Sequence, residues 1–132
     1  MSTFRATLNI SSSDLFPIPT NFTDTVTDNV NGNYSSFNTN VLAAAASNVI
    51  LYGPSIAPGS GILYFYVKAD ILNTATVDIE ISQGGQLVSA MRILAGDFAF
   101  VPIDAAIATT VRADNNSAAN PATIQYFYGE RG

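Results

Sequence analysis

At 132 residues the chain has room for one domain built around one hydrophobic core. Apolar residues make up 48% of it and charged residues only 11%, against about 25% in an average soluble domain, so the surface is either dressed in hydroxyls and amides or covered by other protein. A net charge of -5 and five dispersed basic residues (Arg5, Lys68, Arg92, Arg112 and Arg131) offer no stripe to neutralise phosphates, which excludes nucleic acid as an expected partner.

In chain order, Phe4, Ala6, Leu8 and Ile10 alternate with Thr3, Arg5, Thr7 and Asn9, the period of a half-buried strand over residues 1–10. Residues 11–40 are rich in Ser, Thr, Asn and Asp and predict an extended polar arm or long loop. Its isolated anchors are Leu15, Phe16, Ile18, Phe22, Tyr34 and Phe37, and Pro17 and Pro19 push their predecessors into extended conformations. Residues 41–132 predict the β-sandwich body. Within it, residues 41–46 are the one helix candidate and are too short to be stable alone. Residues 53–61 are a loop by composition, and no Gly-Lys-Ser or Gly-Lys-Thr follows to make it a phosphate loop.

The run from Gly61 to Ala69 carries apolar or aromatic side chains on both faces: Leu63, Phe65 and Val67 on one, Ile62, Tyr64 and Tyr66 on the other. Such a strand is either central and covered twice by its own domain, or presents its second face to a partner. Val77, Ile79 and Ile81 alternate with Asp78, Glu80 and Ser82, and Gly84-Gly85 then marks a tight hairpin. Ala95-Gly96-Asp97 marks a second turn before Phe98 and Phe100. Alternation returns over Ile107, Thr109 and Val111, and again over Ile124, Tyr126 and Tyr128, with Asn115-Asn116-Ser117 and Asn120-Pro121 between them. Six or more short strands without a sustained helical period predict an all-β fold, a single antiparallel sandwich or jelly roll with an extended N-terminal arm. Val77, Ile79, Ile81, Phe98, Phe100 and Val111 are its expected core.

Histidine, cysteine and tryptophan are absent. That removes Ser-His-Asp and Cys-His catalysis, disulfides, and the usual zinc and copper ligands. Asp78 and Glu80 stand two apart on one strand face, which reads as a solvated face and not as the facing carboxylates of a glycosidase. Asp97 follows a turn glycine, where it bonds backbone amides. Asp24, Asp28, Asn29, Asn31 and Asn33 carry oxygens that suit calcium, but an EF-hand loop centred on Gly32 would need an acidic residue at Thr27 and Glu at Asn38. Four Asn-X-Ser/Thr triplets read as coincidence in so Asn-rich a chain. The expectation is a chain without catalytic residues, cofactor or metal. The first five residues lack the apolar run of a signal peptide, and no stretch reaches the roughly 18 apolar residues of a membrane span, so synthesis in a cytoplasm without membrane entry is expected.

The run Ile79-Glu80-Ile81-Ser82, the stretch Met91-Arg92-Ile93-Leu94-Ala95-Gly96-Asp97-Phe98-Ala99-Phe100-Val101-Pro102, then Val111-Arg112-Ala113 and Ile124-Gln125-Tyr126 resemble small structural proteins of tailed bacteriophage virions. The pattern of strand, Ala-Gly-Asp turn and aromatic strand ending in proline is similar to capsid decoration (cement) and head-fibre proteins, over about residues 49–128. The resemblance implies a virion protein, a trimer or other symmetric homo-oligomer whose partner is the major capsid protein or another virion protein. Candidate contact residues are Leu15, Phe16, Ile18, Phe22 and Phe37 on the arm, and Ile62, Tyr64, Tyr66, Tyr126 and Tyr128 on the body. The alternatives are a receptor- or glycan-binding fibre or tail module and, more remotely, a carboxylate-based hydrolase.

Overall fold

A computed structural model describes residues 2–13, 20–53, 61–104 and 107–131. They form nine strands and, among the described residues, no helix. A five-stranded sheet runs in the order β1 (Ser2–Ser12), β2 (Thr20–Leu42), β9 (Ala122–Arg131), β4 (Ile62–Ala69), β7 (Phe98–Asp104). A four-stranded sheet runs β3 (Val49–Tyr52), β8 (Thr109–Asn115), β5 (Val77–Gln83), β6 (Gln86–Ile93). All strand pairs are antiparallel. Every connection except β1–β2 and β5–β6 passes from one sheet to the other. The orders 2-9-4-7 and 3-8-5-6 are those of an eight-stranded jelly roll, with β1 added at one edge. The expected all-β antiparallel sandwich is therefore present.

The core lies between the sheets. Leu63, Phe65, Val67 and Ile124 from one meet Val77, Ile79, Ile81, Val111 and Ala113 from the other, all buried in one cluster. Burying each of the larger of these contributes about 1.5–3 kcal/mol. Gly84 and Gly85, at φ of 58° and 82°, close the β5–β6 hairpin in the left-handed region that a two-residue turn of this kind requires. At one end of the core the buried Asn115 side chain donates to the carbonyls of Ala43 and Asn120 and accepts from the Ser117 amide, tying three chain segments together. Val41 and Leu42, offered as a helix start, end β2 instead.

Two expectations need correction. Residues 20–42 are not an arm or loop but the longest strand of the fold, paired with β1 from Ser2↔Val30 to Ser12↔Thr20 and with β9 beyond Ser35. Val30 also pairs with Arg131, and the β2–β9 register shifts between it and Ser35. Aspartates at 24 and 28 interrupt the apolar alternation of Phe22, Val26 and Val30 and so hide the strand period, while threonines at 23, 25 and 27 suit an extended backbone. Cross-strand contacts of Thr7 with Thr25 and of Thr23 with Asn9 join the polar face. Leu15, Phe16 and Ile18 lie outside the described residues, as does the side chain of Tyr34. The second correction concerns Phe98 and Phe100, which do not enter the core. Their register opposite Lys68 and Tyr66 sets them on the other face of the sheet, and Phe98 is exposed.

Candidate functional site: an aromatic outer face

On β4 the inward residues are Leu63, Phe65, Val67 and Ala69, so Ile62, Tyr64, Tyr66 and Lys68 point away from the core. Cross-strand pairing brings Phe100 and Pro102 of β7 and Phe127 and Gly129 of β9 onto the same outer face. Phe37 of β2 stands opposite Phe127 and joins them. A Cβ on Gly129 would come within 2.7 Å of the Phe127 ring, so the glycine leaves room for that ring beside Val30.

The β1–β2 hairpin folds across this face. Phe4 stacks on three of its rings, with centroids 5.0 Å from Tyr64, 5.2 Å from Phe127 and 6.0 Å from Phe100. Opposite Phe4 on the hairpin, Asp28 accepts a hydrogen bond from the Tyr64 hydroxyl at 2.6 Å and pairs with the Arg131 guanidinium at 2.9 Å. The Tyr64 hydroxyl, with the Asn29 amide and Arg131, holds the Asp28 carboxyl below its ordinary value against the opposing effect of burial. The same hydrogen bond raises Tyr64.

Past this clasp the hairpin leaves the body. Ala6, Leu8 and Ile10 of β1 share one face with Val26 and Phe22 of β2, and exposure grows outward to 45% at Leu8, 56% at Ile10 and 53% at Phe22. Between this stripe and the outer face opens a cleft of about 820 Å³ whose lining includes Leu8, Val26, Phe37, Tyr66, Phe98 and Phe127. Phe37 and Phe98 are 63% and 57% exposed.

The predicted contact residues therefore fall into three groups. Phe22, Phe37, Ile62 and Tyr66 lie on the hairpin or the outer face, the first two exposed and the others partly so. Tyr64 is on that face but buried beneath the chain's own Phe4. Tyr126 and Tyr128 are a correction: their register opposite Val67 and Phe65 turns them toward the core, where Tyr126 stacks on Phe65 and Tyr128 meets Tyr52 edge-on. The outward member of that strand is Phe127. Sequence reading also missed Phe4, Leu8, Ile10 and Phe98 as surface residues, since strand alternation alone does not say whether a second layer covers the apolar side.

Two further acidic residues the sequence singles out make local contacts. Asp78 holds Arg92 across the β5–β6 pair through two bonds of 2.8 and 3.0 Å, and this contact keeps Asp78 below its ordinary pKa. Asp97 closes its turn with backbone atoms: its amide donates to the Leu94 carbonyl and its carbonyl accepts from Ala69. Asp24 and Asp28 sit on a strand rather than on a loop, and among the described residues no cluster of three or more His, Cys, Asp or Glu could hold a metal. Burial, the neighbouring Glu130 and Tyr128 push Tyr52 up to about 12. No helix among the described residues is long and apolar enough to cross a membrane.

No known protein family and no curated protein matches the sequence. Solved structures do share its fold. One comes from Bacillus endospore appendages, described as a novel family of disulfide-linked pili, with a TM-score of 0.51 and 21% identity over 74% of this chain and 86% of that one. Another is the Yersinia pseudotuberculosis-derived mitogen, with a TM-score of 0.50 and 13% identity over the same shares of each chain. At such identities the likeness is one of fold alone, and neither neighbour is a capsid decoration protein.

Proposed function

We propose that the chain is a structural subunit that builds into a larger protein assembly, and that its specific role is that of a virion component decorating a capsid shell. The observation that carries the reading is the apolar surface shared by the hairpin and the outer sheet face: Leu8, Ile10, Phe22, Phe37 and Phe98 all stand at least 45% exposed in one chain. Isolated apolar residues on a surface are ordinary, but a contiguous patch this aromatic marks a contact surface. Jelly rolls also build viral capsid domains, a fold-level analogy that supports the virion form of the role, as does the sequence resemblance to phage cement proteins. The pilus subunit among the structural neighbours supports a structural role in a coarser way. Those pili are disulfide-linked, whereas this chain has no cysteine, so an assembly of it is held by non-covalent burial.

Incubating the purified chain with undecorated phage shells, then counting bound copies by cryo-electron microscopy, tests the role. Regular occupancy is the expected result. A chain that binds no particle and forms no ordered assembly of its own at any concentration sinks it. Jelly rolls also include lectins, and the ring-lined cleft favours one second reading, a glycan-binding module in which Tyr66, Phe37 and Phe98 stack on sugar rings. Saturable retention on a glycan array, lost in Phe98→Ala, would select it.

A further inference from the structure

Resting on that structural role, we propose that the outer half of the β1–β2 hairpin of one copy docks on the aromatic outer face of a second copy, each giving its hairpin and receiving the other's. The contact begins inside a single chain. Phe4, at the root of the hairpin's apolar stripe, already lies flat on Phe127, Tyr64 and Phe100, so this face accepts the stripe's side chains in a stacked geometry. The stripe then continues as Leu8 and Val26, which line the cleft opposite the outer face, and beyond it as Ile10 and Phe22, all four exposed among the described residues. On the receiving side Phe37 and Phe98 are open in the same way beside Tyr66. Each chain thus carries an uncovered apolar donor and an uncovered apolar acceptor of the same chemistry.

Charge agrees with this occupant, and size sets the strength of the contact. Asp24 interrupts the hairpin stripe opposite Leu8, and Lys68 stands exposed on the outer face opposite Phe98. A second copy brings an acidic group in the donor to a basic group in the acceptor. At a rise of about 3.4 Å per residue, six residues of a two-stranded ribbon cover a footprint of about 20 Å by 10 Å. Given once and received once by each copy, that buries about 400 Å² per partner, the size of a weak, concentration-dependent contact. Reciprocity makes the contact isologous, and it closes as a dimer.

The absence of cysteine from the chain makes the test clean. Ile10→Cys and Phe98→Cys are made in separate chains, mixed and mildly oxidised, with Leu87→Cys on the exposed edge strand β6 in place of Phe98→Cys as control. The expected result is a cross-linked 10–98 product about tenfold above the 10–87 product, and equal yields overturn the proposal. Independently, Ile10→Asp and Phe22→Asp should weaken self-association by about tenfold in sedimentation while leaving the unfolding midpoint where it was. Undiminished association in both variants overturns this docking mode and leaves the structural role standing. A native chain that stays monomeric throughout yet takes an apolar dye into the cleft, with uptake lost in Phe98→Asp, also overturns it, in favour of a small apolar ligand.

Discussion

Strands β1 and β5 have nearly the same sequence pattern and opposite fates. Each alternates strictly, Phe4-Ala6-Leu8-Ile10 in one and Val77-Ile79-Ile81 in the other. The apolar side of β5 is sealed, with Val77 and Ile79 wholly without solvent contact, while that of β1 opens steadily toward the hairpin tip. The difference is not in the strands but in what lies over them. β5 sits within a four-stranded sheet opposed by a second sheet, whereas β1 is an edge strand whose apolar side is partly buried at Phe4 and Ala6 and exposed beyond them. A long edge strand with an open apolar side is a hazard in a solitary protein, and the proposed docking of a second copy would cover it.

The sharpest test of the contrast is truncation on the sealed side. Ile79→Ala is expected to cost about 2–5 kcal/mol in denaturant unfolding, because it removes buried methyl groups and leaves a cavity between two sheets that cannot fully collapse. A loss below about 0.5 kcal/mol would mean that β5 is no better covered than β1. Phe4→Ala tests the boundary between the two regimes. Losing a half-buried ring and its stacking on three others should cost about 1–3 kcal/mol, and hydrogen exchange should accelerate in β1 and the first half of β2 while β5 and β8 stay protected. Uniform loss of protection would show that hairpin and body unfold as one unit.

How much of this was legible in the sequence follows the same division. The body strands announced themselves because Val77, Ile79, Ile81 and Val111 have no apolar residues on their outward sides to blur the period. The Gly84-Gly85 turn was legible because only that backbone closes so short a hairpin. The first half of β2 was hidden, since its alternation runs through Asp24 and Asp28 and its polar face is built of threonine and asparagine. Asp28 looks like a loop carboxylate until its partners, Tyr64 and Arg131, are brought from 36 and 103 positions away. Faces were the hardest to assign. Tyr126 and Phe127 are adjacent aromatics, and nothing local says which of them meets the core; the pairing of Val67 with Tyr126 decides it.

The clasp gives the comparison a pH axis. With the Asp28 carboxyl held below its usual value of 3.8, its contribution is complete above that pH and is lost as pH falls through the depressed value. Acid should therefore loosen the hairpin root before the core opens. Because the chain has no tryptophan, the difference in tyrosine fluorescence between the native chain and Tyr64→Phe reports the release of Tyr64 among its six tyrosines. Asp28→Asn should abolish the acid-dependent change, and an unaltered acid profile in that variant would remove Asp28 from the clasp. The sealed side responds at the other extreme. With Tyr52 pushed up to about 12 from an ordinary 10.0, the folded chain keeps its full advantage below pH 10 and loses it as pH rises toward 12. Tyr52→Phe should flatten stability over that interval, with one fewer phenolate in the ultraviolet titration.

The smallest expected effect is the most discriminating. Ile10 lies in a flawless alternating run, and from sequence its replacement should hurt as much as that of Ile79. In the folded chain its side chain is 56% exposed and has little to lose. Ile10→Ser in dilute protein should therefore change unfolding stability by no more than about 0.5 kcal/mol in either direction, as surface substitutions do. Repeating the unfolding at rising protein concentration adds the second half of the test. If a partner copy covers Ile10, the native chain gains stability with concentration by mass action and the serine variant does not, so the two curves separate only where association occurs. A serine variant already destabilised by more than about 1 kcal/mol in the dilute monomer would show that the chain covers this stripe itself, and β1 and β5 would then be the same kind of strand after all.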